Sequence, residues 1–189
     1  MTINDFGAIA GMLPGGPSQG ALRGIVVLDI TRVVAGPFCS MLLGDLGATV
    51  IKVENPRDPD YARDFPPKLK ASSGEEFSGF FAQFNRNKFG LTLDLSQPDG
   101  KELLKKLVRR ADVLVENFRP GTMDKLGVGY ETLREQNPRL VYTAISGYGQ
   151  SGPYRRPARL RQQRAGRGRV VVDQRLPRPA SGARRHHHR

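Results

Sequence analysis

Cysteine occurs once in this chain, at Cys39. A single thiol excludes an intramolecular disulfide and any multi-cysteine metal site. With Phe38, Met41 and Leu42 as neighbours, it reads as a buried side chain rather than a nucleophile. No basic stretch followed by an apolar one opens the sequence, and no apolar run approaches the length of a membrane span. A membrane partner is therefore not expected, and a cytoplasmic protein is the economical expectation. Lysine and aromatic residues are missing from Arg155 to Arg189, a segment holding 12 arginines and one acid, Asp173. That segment carries nearly all of the net charge of +12, leaving 18 basic against 17 acidic residues in 1–154. A sequence pI near 10.4 would ordinarily point to nucleic acid or a membrane surface, but it describes one segment rather than the whole protein.

That segment has no amphipathic period and is dominated by Arg, Gly, Pro and Ala, so it is expected to be disordered. Two readings are open: an Arg-rich arm that binds RNA or other anions nonspecifically, or the product of a reading-frame change in a GC-rich gene. The body mixes Lys with Arg and the tail uses Arg alone. This abrupt change favours the second reading, and a nucleic-acid partner is not expected. His186, His187 and His188 stand without an acid or cysteine beside them, and no metal site is assigned.

About 150 patterned residues suffice for one core. Residues 1–20 read as an irregular, Gly- and Pro-rich lead-in. Ile25 to Ile30 is an apolar, β-branched run, followed by a helical stretch from Ala35 to Leu46 with Pro37 early in it, where its missing N–H costs little. Thr49 to Glu54 is a second strand, which completes a βαβ unit. Asn55 to Ser78 is polar and Pro-punctuated and reads as a long loop, a length that is usually functional or mobile. Order resumes at Phe80 to Phe84. A strand is predicted at Leu91 to Leu95, and then a helix capped by Ser96 with Asp99, whose core face is Leu103, Leu104, Leu107 and Val108. Further strands are predicted at Asp112 to Phe118 and Leu140 to Ile145, with helical stretches at Thr122 to Leu126 and Tyr130 to Gln136. The alternation gives an α/β fold, a doubly wound parallel sheet.

Chemistry in such sheets lies beyond the carboxyl ends of the strands. The turn from Thr31 to Pro37 could hold a phosphate or could be an ordinary strand-to-helix connection. Asn85-Arg86-Asn87-Lys88 and Glu116 to Gly121 place amides and cations where they could orient a partly anionic ligand, with solvated surface as the alternative for either alone. Gly147 to Gly152 matches G-x-G-x-x-G, and Asp173 has the offset of a ribose-binding acid. Pro153 follows at once and no helix opens, so dinucleotide binding is not expected.

The segments VVLDITRVVAGPFCSMLLGDLGATVIKVE, NRNKFGLTLDL, GKELLKKLVRRADVLVENFRPG and MDKLGVGYETLREQNPRLVYTAISGYGQSGP, followed by Arg156-Pro157-Ala158, resemble the class III CoA-transferase family. Its relatives include formyl-CoA transferase and α-methylacyl-CoA racemases. The resemblance covers residues 21–158, as the N-terminal part of the family's large domain, with 159–189 as the tail. It implies a Rossmann-like parallel sheet with flanking helices, here incomplete, and an interlocked homodimer that is doubtful for this chain. It also implies an acyl-CoA thioester and a carboxylic acid as substrates, with no permanently bound cofactor. Position by position, the CoA site would comprise Val33, Val34, Ala35, Asn55, Leu93, Asp94, Leu95, Ser96, Asn117, Phe118 and Lys125. Asn55 and Lys125 stand where some members have arginine. The family chemistry passes through an aspartyl intermediate. In the pattern P-A-x-D that aspartate falls at Leu160, so no catalytic residue is assigned. The expectation is a truncated, frameshifted and inactive homologue. A racemase-like relative is the alternative, although the long excursion and NRNK look more like transferases.

Overall fold

The computed structural model describes residues 20–155 and 171–175, the last five as backbone. The lead-in before Gly20, Leu160 and most of the Arg-rich segment lie outside the described residues. In chain order the elements are β1 (Val26–Asp29), α1 (Ala35–Asp45), β2 (Thr49–Glu54), β3 (Lys68–Lys70), β4 (Glu76–Ser78), α2 (Gly79–Asn85), β5 (Lys88–Thr92), α3 (Pro98–Val108), β6 (Val113–Glu116), α4 (Thr122–Lys125), α5 (Tyr130–Gln136), β7 (Val141–Ser146) and β8 (Val171–Arg175). The main sheet has the order β5-β2-β1-β6-β7-β8, and β3 and β4 form a separate hairpin. All pairings from β5 to β7 are parallel, while β8 runs antiparallel along the edge of β7. This is a Rossmann-like α/β architecture. Its strand order reverses between β1 and β6, the topological switch point of such sheets.

Alternation along the strands separates two cores. Leu28, Ile51, Leu114 and Ala144 face a large cluster completed by Leu104, Leu107 and Val108 of α3, Met123 of α4 and Leu133 of α5. Val27, Val50, Val115 and Ile145 face a smaller one with Cys39 and Leu43 of α1. Three helices cover the first face, and α1 with α2 beside it lies on the second. Helix α1 is apolar all round, the composition of a helix meant for burial on every side. One stripe at four-residue spacing nevertheless stays open: Val34 (38% exposed), Phe38 (46%), Leu42 (44%) and Leu46 (50%).

Several expectations are corrected. The third parallel strand is Lys88–Thr92, three residues earlier than predicted, because Asp94 bends the chain: its carboxylate accepts the Ser96 N–H at 2.9 Å. The cap of α3 is Gln97, with no side-chain cap bond, and the Ser96 hydroxyl donates instead to Asp94 at 2.6 Å. Asn85-Arg86-Asn87 lies at the amino edge of β5, not at a carboxyl end. There Arg86 and Asn87 hold Asp45 at the end of α1, at 2.5 and 2.8 Å. The Asn55–Ser78 excursion is a structured strap rather than a loop, with a 3-10 turn at Tyr61–Asp64 and the β3–β4 hairpin. Edge-to-face ring contacts from Tyr61 through Phe65, Phe80 and Phe84 to Phe38 bind the strap to α2 and α1. Cys39 is partly rather than fully buried, and burial, then the Asp29 charge, pushes its thiol pKa up. The backbone of Val171–Arg175 pairs with β7, and the expectation of disorder for the rest of the Arg-rich segment falls outside the described residues.

Candidate functional site

A cleft of about 180 Å³ opens beyond the carboxyl ends of β1, β2 and β6. Ile30, Val53, Leu93, Leu95, Phe118 and Leu126 form apolar walls, and Thr31, Arg32, Asn55, Asp58, Asp60 and Ser96 line the rest with Glu54. Such a combination of apolar surface and a few convergent polar groups suits a small organic ligand.

One side of the cleft is the turn Thr31-Arg32-Val33, held from three directions. Asn117 accepts the Arg32 N–H at 2.9 Å and donates to the Arg32 carbonyl at 2.8 Å, which ties the ends of β1 and β6 together. The Arg32 guanidinium pairs with the Asp58 carboxylate at 3.0 Å and donates to the Pro59 carbonyl at 2.6 Å. The Val33 N–H is shared by both carboxylate oxygens of Asp60, at 3.1 and 3.0 Å. Val33 has φ 72°, in the left-handed region that a β-branched residue rarely enters. Such a conformation costs about 1–3 kcal/mol and persists only where its surroundings enforce it.

The enforcing groups are buried. Asp60 and Lys52 form an ion pair at 3.4 Å with side chains 0% and 3% exposed, and Lys52 also donates to the Thr31 carbonyl at 2.9 Å. Asp29 accepts from the Thr31 N–H at 2.9 Å, the Thr31 hydroxyl, Ser40 at 2.6 Å and Lys88 at 2.9 Å. Burial alone would raise the Asp29 pKa. Lys88, Lys52 and the two hydroxyls outweigh it and hold the carboxyl below its ordinary range. Gly36 is required here, since a Cβ at that position would come within 2.3 Å of the Thr31 side chain.

Of the eleven expected site residues, Asn55, Leu93, Leu95, Ser96 and Phe118 line the cleft. Asp94 sits behind them and orders them, accepting from Ser96 and, at 3.3 Å, from Asn55. Asn117 is a strut between strands, with its amide engaged on Arg32. Val33, Val34 and Ala35 flank the cleft without lining it; instead their neighbours Thr31 and Arg32 do. Lys125 is exposed and outside the lining, which receives Leu126 from the same helix end. Asp60, Lys52 and Glu54 were missed. Their only sequence signal was charge inside a strand or loop, where solvated surface is the ordinary expectation.

A second cavity of about 330 Å³ lies beside β6 and β7, lined by Glu116, Asp124, Tyr130, Glu131, Tyr142 and Gln150 among others. Burial pushes the Glu116 pKa up to about 7, against hydrogen bonds from the Phe118 N–H and Tyr142, with Asp124 adding repulsion. After β7, the glycine motif leads into the 3-10 turn Pro153–Arg155, not a helix. Among the described residues, no cluster of ligand-type side chains could hold a metal, and no helix is long and apolar enough to cross a membrane.

A parallel α/β sheet with an open cleft at its switch point defines a Rossmann-like class of fold. Residues 22–163 match the model of CoA-transferase family III, and the chain belongs to that family. It is 48% identical over 142 residues to an acyl-CoA transferase of Fusarium pseudograminearum, covering 73% of this chain and 31% of that one. It is 51% identical over 131 residues to the succinyl-CoA:mesaconate CoA-transferase of Haloarcula hispanica, covering 69% and 33%. Among solved structures, a CAIB/BAIF family protein from Brucella suis superposes with TM-score 0.68 at 42% identity, over 72% of this chain and 36% of that one. Rv3272 from Mycobacterium tuberculosis does so with TM-score 0.65 at 42% identity, over 73% and 38%. The chain thus spans about a third of the length of the curated relatives it matches.

Proposed function

We propose that this chain binds a CoA thioester in the cleft at the switch point and does not by itself complete CoA transfer. The cleft carries the binding half of the reading: five of the expected CoA residues converge on one partly apolar space in a fold whose ligands bind there. In this reading Phe118, Leu93 and Leu95 pack the ligand's flat or apolar parts, while Asn55 and Ser96 meet its polar groups. Asn117, Asp94 and Val33 to Ala35 shape the walls, and Lys125 at the rim adds long-range attraction for phosphate.

The absence of turnover is supported by how the cleft's carboxylates are engaged. Glu54 is bound to Arg63 at 2.5 Å, Asp58 to Arg32, and Asp60 to Lys52. None stands free to attack a thioester, and the P-A-x-D pattern offers Leu160 where it would need an aspartate. The substrates of the intact family, an acyl-CoA and a carboxylic acid, its dimeric assembly and a cytoplasmic location belong to the same proposal. So does the Arg-rich segment as foreign to the family fold, which resequencing across the codons for Tyr154 to Gly166 would test.

Calorimetric titration with CoA tests the binding half. Phe118→Ala should weaken binding about tenfold, the scale of one well-packed aromatic contact. Lack of binding by the unaltered chain would remove the proposal. Exchange of CoA between succinyl-CoA and a free dicarboxylic acid, followed by chromatography, tests the other half, and no exchange is expected.

A further inference from the structure

The most distinctive backbone feature of the cleft is the left-handed Val33, and the carboxylate that holds its N–H comes from the strap rather than from the turn itself. Asp60 is 1% exposed and directs both carboxylate oxygens to the Val33 N–H. Its Oδ1 also accepts the Ala62 N–H at 3.0 Å, which fixes the carboxylate to the 3-10 turn of the strap. Its own N–H donates to Glu54 at the end of β2, at 3.0 Å. Lys52 crosses from β2 to balance the charge and holds the Thr31 carbonyl on the preceding peptide. Asp60 is therefore joined to the turn, to β2 and to the strap, and a carboxylate is the group whose two oxygens can serve Val33 and Ala62 while pairing with a lysine.

We propose that Asp60 is a positioning residue: by holding the Val33 N–H with its buried carboxylate, it sets the Arg32–Val33 turn in the shape that the cleft needs to receive its ligand. The inference rests on the CoA-binding reading for the identity of that ligand, but not for the conformational role. An asparagine at position 60 offers one acceptor oxygen instead of two and no charge for Lys52. A glycine at position 33 adopts positive φ without enforcement. The two substitutions should therefore be coupled. Asp60→Asn should weaken CoA binding about tenfold and speed exchange of the Val33 amide, and Val33→Gly alone should weaken binding by less than Asp60→Asn does. In the V33G/D60N double variant, most of the lost affinity should return.

A purely structural role for Asp60 would instead give additive losses, with no recovery in the double variant, and that result would overturn the proposal. If the unaltered chain fails to bind CoA, the ligand reading falls alone. Amide exchange at Val33 in D60N against the unaltered chain then decides the positioning role, and unchanged exchange overturns it. Should D60N fail to fold for want of a partner to Lys52, K52M/D60N removes the unbalanced charge, and the same exchange and titration measurements apply.

Discussion

Glu116 shows how one residue's surroundings reach the stability of the molecule. The residue is 4% exposed and burial pushes its pKa up to about 7, whereas in the unfolded chain it lies in the ordinary carboxylate range. Below that range both states hold the proton and the group has no effect. As pH rises toward 7 the unfolded chain releases the proton first, so folding stability falls, and above 7 the loss stays constant. Glu116→Gln removes the penalty while still accepting the Phe118 N–H. Urea denaturation should show E116Q more stable than the unaltered chain by about 1–3 kcal/mol at pH 8 and equal to it near pH 4. The residue-level chemistry of the cleft was only partly legible in the sequence. Phe118 could be placed because it follows a strand, whereas Asn55 and Ser96 entered only through the resemblance to the family. Asn117 was singled out for the right neighbourhood but is a strut. Asp60 and Lys52 gave no signal, because their importance arises from a contact between segments that only the folded chain brings together.

At the scale of elements, apolar runs and helix faces were the reliable guides. Strand β2 and helix α5 fall where the pattern puts them: β2 is buried along its middle, and α5 is anchored by Leu133. Strand β5 was displaced because its opening residue, Lys88, is charged; the aliphatic stem lies within the sheet layer while the ammonium is paired. The strap was unreadable for a related reason: its order comes from spaced aromatic rings with no regular period. Helix α3 illustrates how closely an element is fitted to the site. Alanine normally favours a helix over glycine, yet a Cβ at Gly100 would lie 2.0 Å from the Asp94 carbonyl oxygen. Gly100→Ala should therefore destabilise the fold by about 1–3 kcal/mol. It should also shift the amide resonances of Leu95 and Ser96 in the cleft wall, as a heteronuclear NMR spectrum would reveal.

Among the described residues, the sheet is unevenly covered. One sheet face carries three helices, and on the other the α1 stripe remains exposed to solvent. Open apolar surface of this kind favours nonspecific association. Leu42→Lys with Leu46→Lys should reduce binding of a hydrophobic dye and slow aggregation on heating. Because both side chains are about half exposed, the unfolding free energy should change by no more than about 0.5 kcal/mol. An unchanged dye signal would place the accessible apolar surface elsewhere.

Strand β5 pairs only with β2, yet its Lys88 reaches past that neighbour to Asp29 on β1. A slip of one residue along β2 would carry Lys88 to the opposite face of the sheet and leave the Asp29 carboxylate without its nearest counter-ion. The pair thus ties the register of the edge strand to a buried charge two strands away. A one-residue shift of the edge strand would therefore break a buried ion pair as well as the apolar contacts of the strand.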